Sequence, residues 1–281
     1  MWNEKRIKTL VIVSLLIIET FVWTASGSVD SQSLGFVGGS ENGQAGNEAE
    51  GLPGAEKPVR PEVNDSNAGQ AEGEPAQEDQ NHKKELQEAE SKGLLLLVNK
   101  QHAVAEDYKP DDLVKITSDF APDRSPETRY MRAEAADAFH NLVKQAAQDG
   151  IELKMTTAYR SYGFQKLLFD SYVEKEGEEK ANTYSAKPGQ SEHQTGLAVD
   201  VSSPSVDFQL SDDYGKTPEG KWIADNAYRF GFILRFPKGK EDNTGYQYEP
   251  WHLRYVGTFA AKEIHDQDLT LEEYLEENGI D

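Results

Sequence analysis

Apolar residues recur at helical spacing in several stretches of the C-terminal two thirds of the chain. From Met131 to Ala146 they follow one another every three or four residues, which is typical of the buried face of an amphipathic helix. Ser125-Pro126 has the pattern of a helix start and Gly150 that of a stop, so this should be the longest helix. Further helices are predicted over residues 162–176, 178–185, 220–229, 258–265 and 270–277.

Shorter apolar runs between these helices predict strands. Residues 152–158 alternate between apolar and polar side chains, as a half-buried strand does. Because helices and strands are mixed without regular alternation, the pattern favours an α+β fold with a mostly antiparallel sheet flanked by helices. Further strands are predicted at 94–98, 197–201, 232–236 and 251–256, with a hairpin from 232–236 to 246–248.

The first 92 residues differ in composition from the rest. Residues 1–26 combine a basic start, a short apolar run and small residues, which is the layout of a signal peptide or an uncleaved membrane anchor. Residues 27–92 are acidic and rich in Gly, Glu and Pro, so we expect a disordered linker with a short helix at 83–91. One domain, 93–281, should therefore lie outside the cytoplasm, secreted or anchored by a segment that contacts the membrane or the secretion machinery.

Charge and cysteine content narrow the function further. The formal net charge of −21 argues against nucleic acid as a partner. The chain contains no cysteine, so it forms no disulfides, and a zinc site must use histidine and carboxylate ligands. We expect a monomer.

Two short segments, about fifty residues apart, contain the residue types that zinc hydrolysis needs. Residues 191–200 read Ser-Glu-His-Gln-Thr-Gly-Leu-Ala-Val-Asp, and residues 249–252 read Glu-Pro-Trp-His. A catalytic zinc ion has three protein ligands and an open position for water. A nearby carboxylate that is not a ligand can take the proton of that water. The two segments supply both kinds of group.

The spacing within the two segments requires bends in the chain. His193 and Asp200 would point to opposite faces of one continuous strand, so the chain must turn between them, and Gly196 is the natural position. Asp200 lies in an apolar run, where either a metal ion, an arginine or backbone donors must compensate its charge. Pro250 argues against a regular strand, so a turn can bring Glu249 close to His252.

These motifs resemble the VanY-type D-alanyl-D-alanine carboxypeptidases, which belong with the lysostaphin, D-Ala-D-Ala and Hedgehog group of zinc folds. The resemblance covers most of residues 94–265. It is carried by the pattern Ser191-x-His193-x-x-Gly196-x-Ala198-x-Asp200 with Glu249-x-Trp251-His252, and by the segment Ala158-Tyr159-Arg160-Ser161-Tyr162-x-x-Gln165.

The resemblance implies a metal centre and a base. His193, Asp200 and His252 would hold one Zn²⁺ per domain. Glu249 would activate the water and later pass the proton to the leaving amine. From the residue types alone, two imidazoles and a carboxylate also suit iron or manganese.

The resemblance also implies how a substrate binds. Arg160 would grip the terminal carboxylate with two parallel hydrogen bonds, with help from Gln165, and Ser191 would hydrogen-bond the substrate. Without the resemblance, a structural ion pair is the better interpretation of Arg160.

The implied function is a zinc D,D-carboxypeptidase that releases the C-terminal D-Ala from peptidoglycan stem peptides. Two alternatives stay open: an L,D-carboxypeptidase of the same fold acting on the tetrapeptide stem, and a non-catalytic zinc-containing module that binds the cell wall. Glu249 and Arg160 argue against the module, because a binding protein needs no base.

Overall fold

A computed structural model describes residues 75–122 and 124–280, which form eight α-helices and six strands. The helices are α1 (Pro75–Ser91), α2 (Ala133–Gln148), α3 (Tyr162–Glu176), α4 (Glu178–Tyr184), α5 (Pro218–Asn226), α6 (Glu241–Thr244), α7 (Thr258–Asp266) and α8 (Leu271–Asn278). The strands are β1 (Leu113–Lys115), β2 (Tyr130–Arg132), β3 (Lys154–Thr157), β4 (Ala198–Ser202), β5 (Phe232–Leu234) and β6 (His252–Tyr255).

The strands of the described residues pair antiparallel in two sheets. One sheet has the order β3-β4-β6-β5, and the other pairs β1 with β2. The α+β class with a mostly antiparallel sheet is therefore confirmed.

Strands β4 and β6 provide Asp200 and His252. Their side chains alternate between the two faces of the sheet, so one face packs on the core and the other forms the site. Val199 and Val201 of β4 and Leu253 of β6 join the apolar core, which α2 closes with residues such as Phe139. The intervening residues point to the other face. Asp200 pairs directly with His252 across the two strands, so the register alone places these side chains side by side.

Two of the predicted strand segments are wrong. Residues 94–98 are largely buried but form no strand, since the Leu94 and Leu96 carbonyls accept hydrogen bonds from Arg254 rather than from a neighbouring strand. Residues 246–248 form no hairpin partner, because β5 pairs with β6 instead.

The long helix begins later than predicted. Pro126 begins a short 3-10 turn that Ser125 caps by accepting from the Glu127 amide, but the chain then pairs as β2. The helix starts at Ala133. The capping residues therefore predicted a real turn. The residues after it, Tyr130–Arg132, pair with β1 and so cannot begin the helix.

The folded part begins earlier than expected. The short helix predicted at 83–91 is present, but it begins earlier, at Pro75, within the segment predicted as linker. In this helix, α1, Ala89 is buried and Leu86 packs against the core. His82 contacts the ring of Phe259 edge-on, at 5.3 Å between centroids. The predicted signal or anchor at 1–26 and most of the linker lie outside the described residues. Within the described residues, no helix combines the length and apolar character needed to cross a membrane.

Candidate metal centre and active site

Gly196 provides the bend that separates His193 from the strand of Asp200. A 3-10 turn, Glu192–Thr195, carries His193 and ends at Gly196, which has a left-handed φ of 69°. A Cβ at Gly196 would lie 2.7 Å from Leu113 Cδ2, so a side chain fits neither the backbone conformation nor the space. The predicted arrangement of loop, glycine and strand is present.

The ring orientation of His193 follows from one hydrogen bond. Its Nδ1 lies 2.6 Å from the Ala158 carbonyl, just after β3. A carbonyl can only accept, so Nδ1 carries the proton and Nε2 keeps its lone pair. Nε2 lies 3.4 Å from Oδ2 of Asp200.

His252 completes a compact group of three buried side chains. Its Nδ1 is 3.1 Å from Asp200 Oδ1, and its ring lies edge-on to that of His193 at 4.9 Å between centroids. One donor atom from each of His193, Asp200 and His252 lies within 4.8 Å of the others. The structure thus brings the three predicted ligands together.

These side chains fit a metal ion. Among the described residues, His193 Nε2 is buried without a hydrogen-bond partner, and the 3.1 Å contact of Asp200 Oδ1 with His252 Nδ1 lies outside hydrogen-bond geometry. Unpartnered buried polar atoms are costly, and a cation between them would satisfy both. Two imidazole nitrogens and one carboxylate oxygen form a donor set that catalytic zinc sites use.

The surroundings shift the pKa of the ligands in different directions. Burial, together with the nearby Arg160, lowers the pKa of His193 to about 4. Burial also opposes the charged form of His252, but Asp200 and Glu192 outweigh it and raise its pKa to about 9. For Asp200, burial favours the neutral form, yet the two imidazoles hold its pKa below the usual range. The carboxylate is therefore ionised and available to a cation.

Glu249 lies beside this group on a turn before β6. Its carbonyl accepts from the His252 amide, a turn around Pro250 of the kind predicted. Its Oε2 is 3.7 Å from His252 Nδ1. Burial raises the pKa of Glu249 to about 8, despite the opposing effect of His252. A carboxyl group with this pKa can exchange a proton near neutral pH.

Arg160 reaches the same centre from the end of β3. Its Nη1 is 3.9 Å from Asp200 Oδ2, and its backbone amide donates to the His193 carbonyl. Its Nε has no hydrogen-bond partner among the described residues. The side chain also lines a cavity of about 320 Å³ with Tyr159, Ser161 and Phe164.

The predicted substrate contacts of Gln165 and Ser191 stay predictions. The amide nitrogen of Gln165 donates to the Ala186 carbonyl at 2.7 Å, so this group ties α3 to the chain that precedes the first motif. Ser191 is buried at the start of the turn that carries His193.

Sequence reasoning missed the role of Glu192. Its carboxylate is buried and contacts His252, Arg235 and Arg254. A signal was present: Arg235 and Arg254 each lie in a predicted strand segment of mostly apolar residues, where a charge needs a buried partner.

Comparison with known proteins places this geometry in a family. The model of the family described as VanY, D-alanyl-D-alanine carboxypeptidase, matches residues 128–258. The Bacillus subtilis (strain 168) protein named "Putative carboxypeptidase YodJ" is 54% identical over 183 residues, 65% of this chain and 67% of that protein. The chain belongs to the VanY carboxypeptidase family. The Enterococcus faecium D-alanyl-D-alanine carboxypeptidase is 33% identical over 189 residues, and the match spans 66% of this chain but only 58% of that protein.

Solved structures of VanY-type proteins share the fold. The LdcB LD-carboxypeptidase is 54% identical, with a TM-score of 0.62 over 65% of this chain and 86% of that one. A mutant of the vancomycin resistance D,D-pentapeptidase VanY, in complex with Zn(II), is 32% identical, with a TM-score of 0.55 over 64% and 98% of the two chains. The zinc-peptidase fold predicted from the motifs is confirmed.

Proposed function

We propose that this protein is a zinc-dependent carboxypeptidase that releases the C-terminal D-alanine of peptidoglycan stem peptides. The observation that supports the proposal most strongly is the convergence of His193, Asp200 and His252 within 4.8 Å. Glu249 lies beside His252, and Arg160 lies beside Asp200. The zinc complex of a family member supports the choice of metal.

His193, Asp200 and His252 would hold the zinc, which supplies a Lewis acid for the scissile carbonyl and for water. Glu249 takes the proton of the attacking water and returns it to the nitrogen of the leaving amino acid. Burial raises the pKa of Glu249 to about 8, and a cation at the neighbouring ligands would lower it toward neutrality. The same carboxyl group can then act first as base and later as acid.

Arg160 makes the reaction specific for the end of a chain. Its guanidinium lies near Asp200 at 3.9 Å, too far for a hydrogen bond, so its donors can serve a substrate carboxylate. Binding of that carboxylate places the last peptide bond of the substrate beside the three ligands. An internal peptide bond offers no such anchor.

Two substrate specificities remain candidates. The motifs led us to a D,D-carboxypeptidase acting on the pentapeptide stem, as the VanY D,D-pentapeptidase does by name. An L,D-carboxypeptidase acting on the tetrapeptide stem is favoured by the greater identity to the LdcB LD-carboxypeptidase, 54% against 32%.

One assay separates the candidates. The full-length protein is incubated with defined pentapeptide and tetrapeptide muropeptides, with and without chelator, and released D-alanine is measured. Release from the pentapeptide supports the D,D activity, and release from the tetrapeptide supports the L,D activity. In either case the chelator should stop it. A zinc-loaded protein that releases nothing from either substrate is a binding module, and the proposal fails.

Glu249→Ala supplies the control for this assay. Turnover should fall by about 10²- to 10⁴-fold, the usual contribution of a general acid–base. The zinc content should stay at the wild-type level, because Glu249 is not assigned as a ligand. Loss of zinc instead would make Glu249 a ligand and overturn its role.

We also propose that the domain works outside the cytoplasmic membrane, where its proposed substrate lies. The support is the basic and apolar start of the chain, residues 1–26. Digestion by an external protease in cells stripped of their wall tests this location. Full protection of the domain would contradict it.

A further inference from the structure

The two ring nitrogens of His252 face different carboxylates. Nδ1 lies 3.1 Å from Asp200 Oδ1, on the side of the metal ligands, and Nε2 lies 3.4 Å from Glu192 Oε2. A neutral imidazole has one protonated nitrogen and one lone pair. If Nδ1 binds the metal, the proton must be on Nε2, and a carboxylate that accepts it fixes this tautomer.

Both oxygens of the Glu192 carboxylate have buried partners. Its Oε1 accepts from Arg235 Nε at 2.8 Å and from Arg254 Nη1 at 2.7 Å. All three side chains are buried, and the two arginines occupy one carboxylate oxygen. The other oxygen, Oε2, faces the imidazole of His252.

The arginines are anchored by parts of the chain outside the segment that the family model matches. Arg235 binds Glu272 of α8 through two nitrogens, at 2.8 and 2.6 Å. Arg254 donates through Nη2 to the carbonyls of Leu94 and Leu96, at 2.9 and 2.8 Å. The matched segment runs from residue 128 to 258. Glu272, which lies after it, and the Leu94 and Leu96 carbonyls, which lie before it, therefore hold the two arginines that bind Glu192.

We propose that Glu192 is a positioning residue that fixes the tautomer and the ring orientation of His252, so that Nδ1 binds the metal. This rests on the proposed zinc function. Glu272 and the 94–96 segment support Glu192 through the two arginines. A carboxylate that served only to balance the arginines would not need to contact the imidazole.

The first test needs no variant. In the zinc-loaded full-length protein, with ¹⁵N-labelled histidine, NMR correlations between ring nitrogens and ring protons report which nitrogen of His252 carries hydrogen. We expect Nε2 to be protonated and Nδ1 to bind zinc. A ring that binds through Nε2, with the proton on Nδ1, overturns the proposal.

The second test is Glu192→Gln. The amide keeps the size of the side chain but accepts a hydrogen bond from His252 more weakly than a carboxylate. Zinc affinity, measured by competition with a chromophoric chelator, should fall by about 10- to 100-fold, as for other residues that orient a metal-bound histidine. Glu272→Gln, one contact further away, should cause a smaller loss.

Glu263→Gln is the matched control. Glu263 accepts from the Tyr274 hydroxyl at 2.6 Å and has no contact with the Glu192 network in the described structure. This variant should lose thermal stability but keep zinc affinity within about twofold of wild type. If Glu192→Gln also lost thermal stability but kept its zinc affinity, Glu192 would only form a structural ion pair, and the proposal would be overturned.

The outcomes separate this inference from the proposed function. A wild-type protein that binds zinc through Nδ1 of His252, yet releases no D-alanine, supports the inference and contradicts the function. A wild-type protein that binds no zinc overturns both.

Discussion

At the scale of single residues, the two histidines differ in their charge state although both contact Asp200. His193 is deeply buried near Arg160, and its pKa is lowered to about 4, so it is neutral at pH 7. His252 is equally buried, but lies between Asp200 and Glu192, which raise its pKa to about 9. Without metal, His252 is therefore a cation at pH 7, with both ring nitrogens protonated.

Zinc binding should release one of these protons. A metal ligand must be a neutral imidazole, so the proton on Nδ1 of His252 must leave when zinc binds below pH 9, while the proton on Nε2 stays. We expect at least one proton released at pH 7, because Glu249 also loses protons when the cation lowers its pKa, and an apparent zinc affinity that rises at least tenfold per pH unit from pH 6 to 8. Calorimetric titrations in buffers with different ionisation enthalpies measure both. A binding constant that stays level from pH 6 to 8 would contradict this charge state.

Arg160→Ala should remove the preference for a free C-terminus. Charge-assisted hydrogen bonds contribute about 1.5–3 kcal/mol, so kcat/KM on the free-acid peptide should fall by about 10- to 100-fold. A peptide amidated at its C-terminus should then be cleaved as fast as the free acid. Arg229→Ala, an exposed arginine bonded to Asn226, is the control and should keep the wild-type preference. Retained discrimination in Arg160→Ala would assign the carboxylate to another group.

Among the structural elements, those formed by residues close together in sequence could be predicted from local patterns. The loop of His193, the bend at Gly196 and the strand of Asp200 are all present, because each depends on residues adjacent in sequence. The partners of Glu192 could not be predicted in this way. Arg235 and Arg254 lie 43 and 62 residues further along the chain, and only the sheet register brings them together. The same holds for 94–98, where arginine contacts replace strand pairing.

Gly196→Ala tests the bend between the two ligands. The variant has to adopt a left-handed φ of 69° and place its Cβ 2.7 Å from Leu113, so the free energy of unfolding should fall by about 3 kcal/mol. Gly150 has a similar φ of 80°, but a Cβ added there would meet no atom within 4 Å, so Gly150→Ala isolates the backbone effect. It should cost about 1 kcal/mol. Equal losses in urea denaturation would show that the contact with Leu113 has no cost.

At the scale of the whole molecule, the folded unit extends beyond the family segment on both sides. Helix α1 packs on the core through Leu86 and Ala89, and α8 supplies Glu272 to the arginine network. Composition concealed the first half of α1, residues 75–82, because a polar, acidic stretch resembles the linker before it. Helix α1 therefore belongs to the folded unit.

Removal of α1 should destabilise the domain. A chain that begins at Lys92 loses the burial of Leu86 and Ala89, which is worth about 2 kcal/mol for one leucine-sized side chain. It keeps the Lys92 carbonyl that accepts from Arg132. Compared with a chain that begins at Pro75, it should unfold at a lower urea concentration. Identical unfolding midpoints would place α1 outside the cooperative unit.

The position of the metal is the most direct test of the whole account. Crystals of the zinc-loaded protein, measured on either side of the zinc absorption edge, locate the ion by anomalous scattering. We predict one peak bounded by His193 Nε2, an Asp200 carboxylate oxygen and His252 Nδ1, with Glu249 beside it but not bound. A peak at any other place, or His193, Asp200 and His252 without an ion among them, would contradict it.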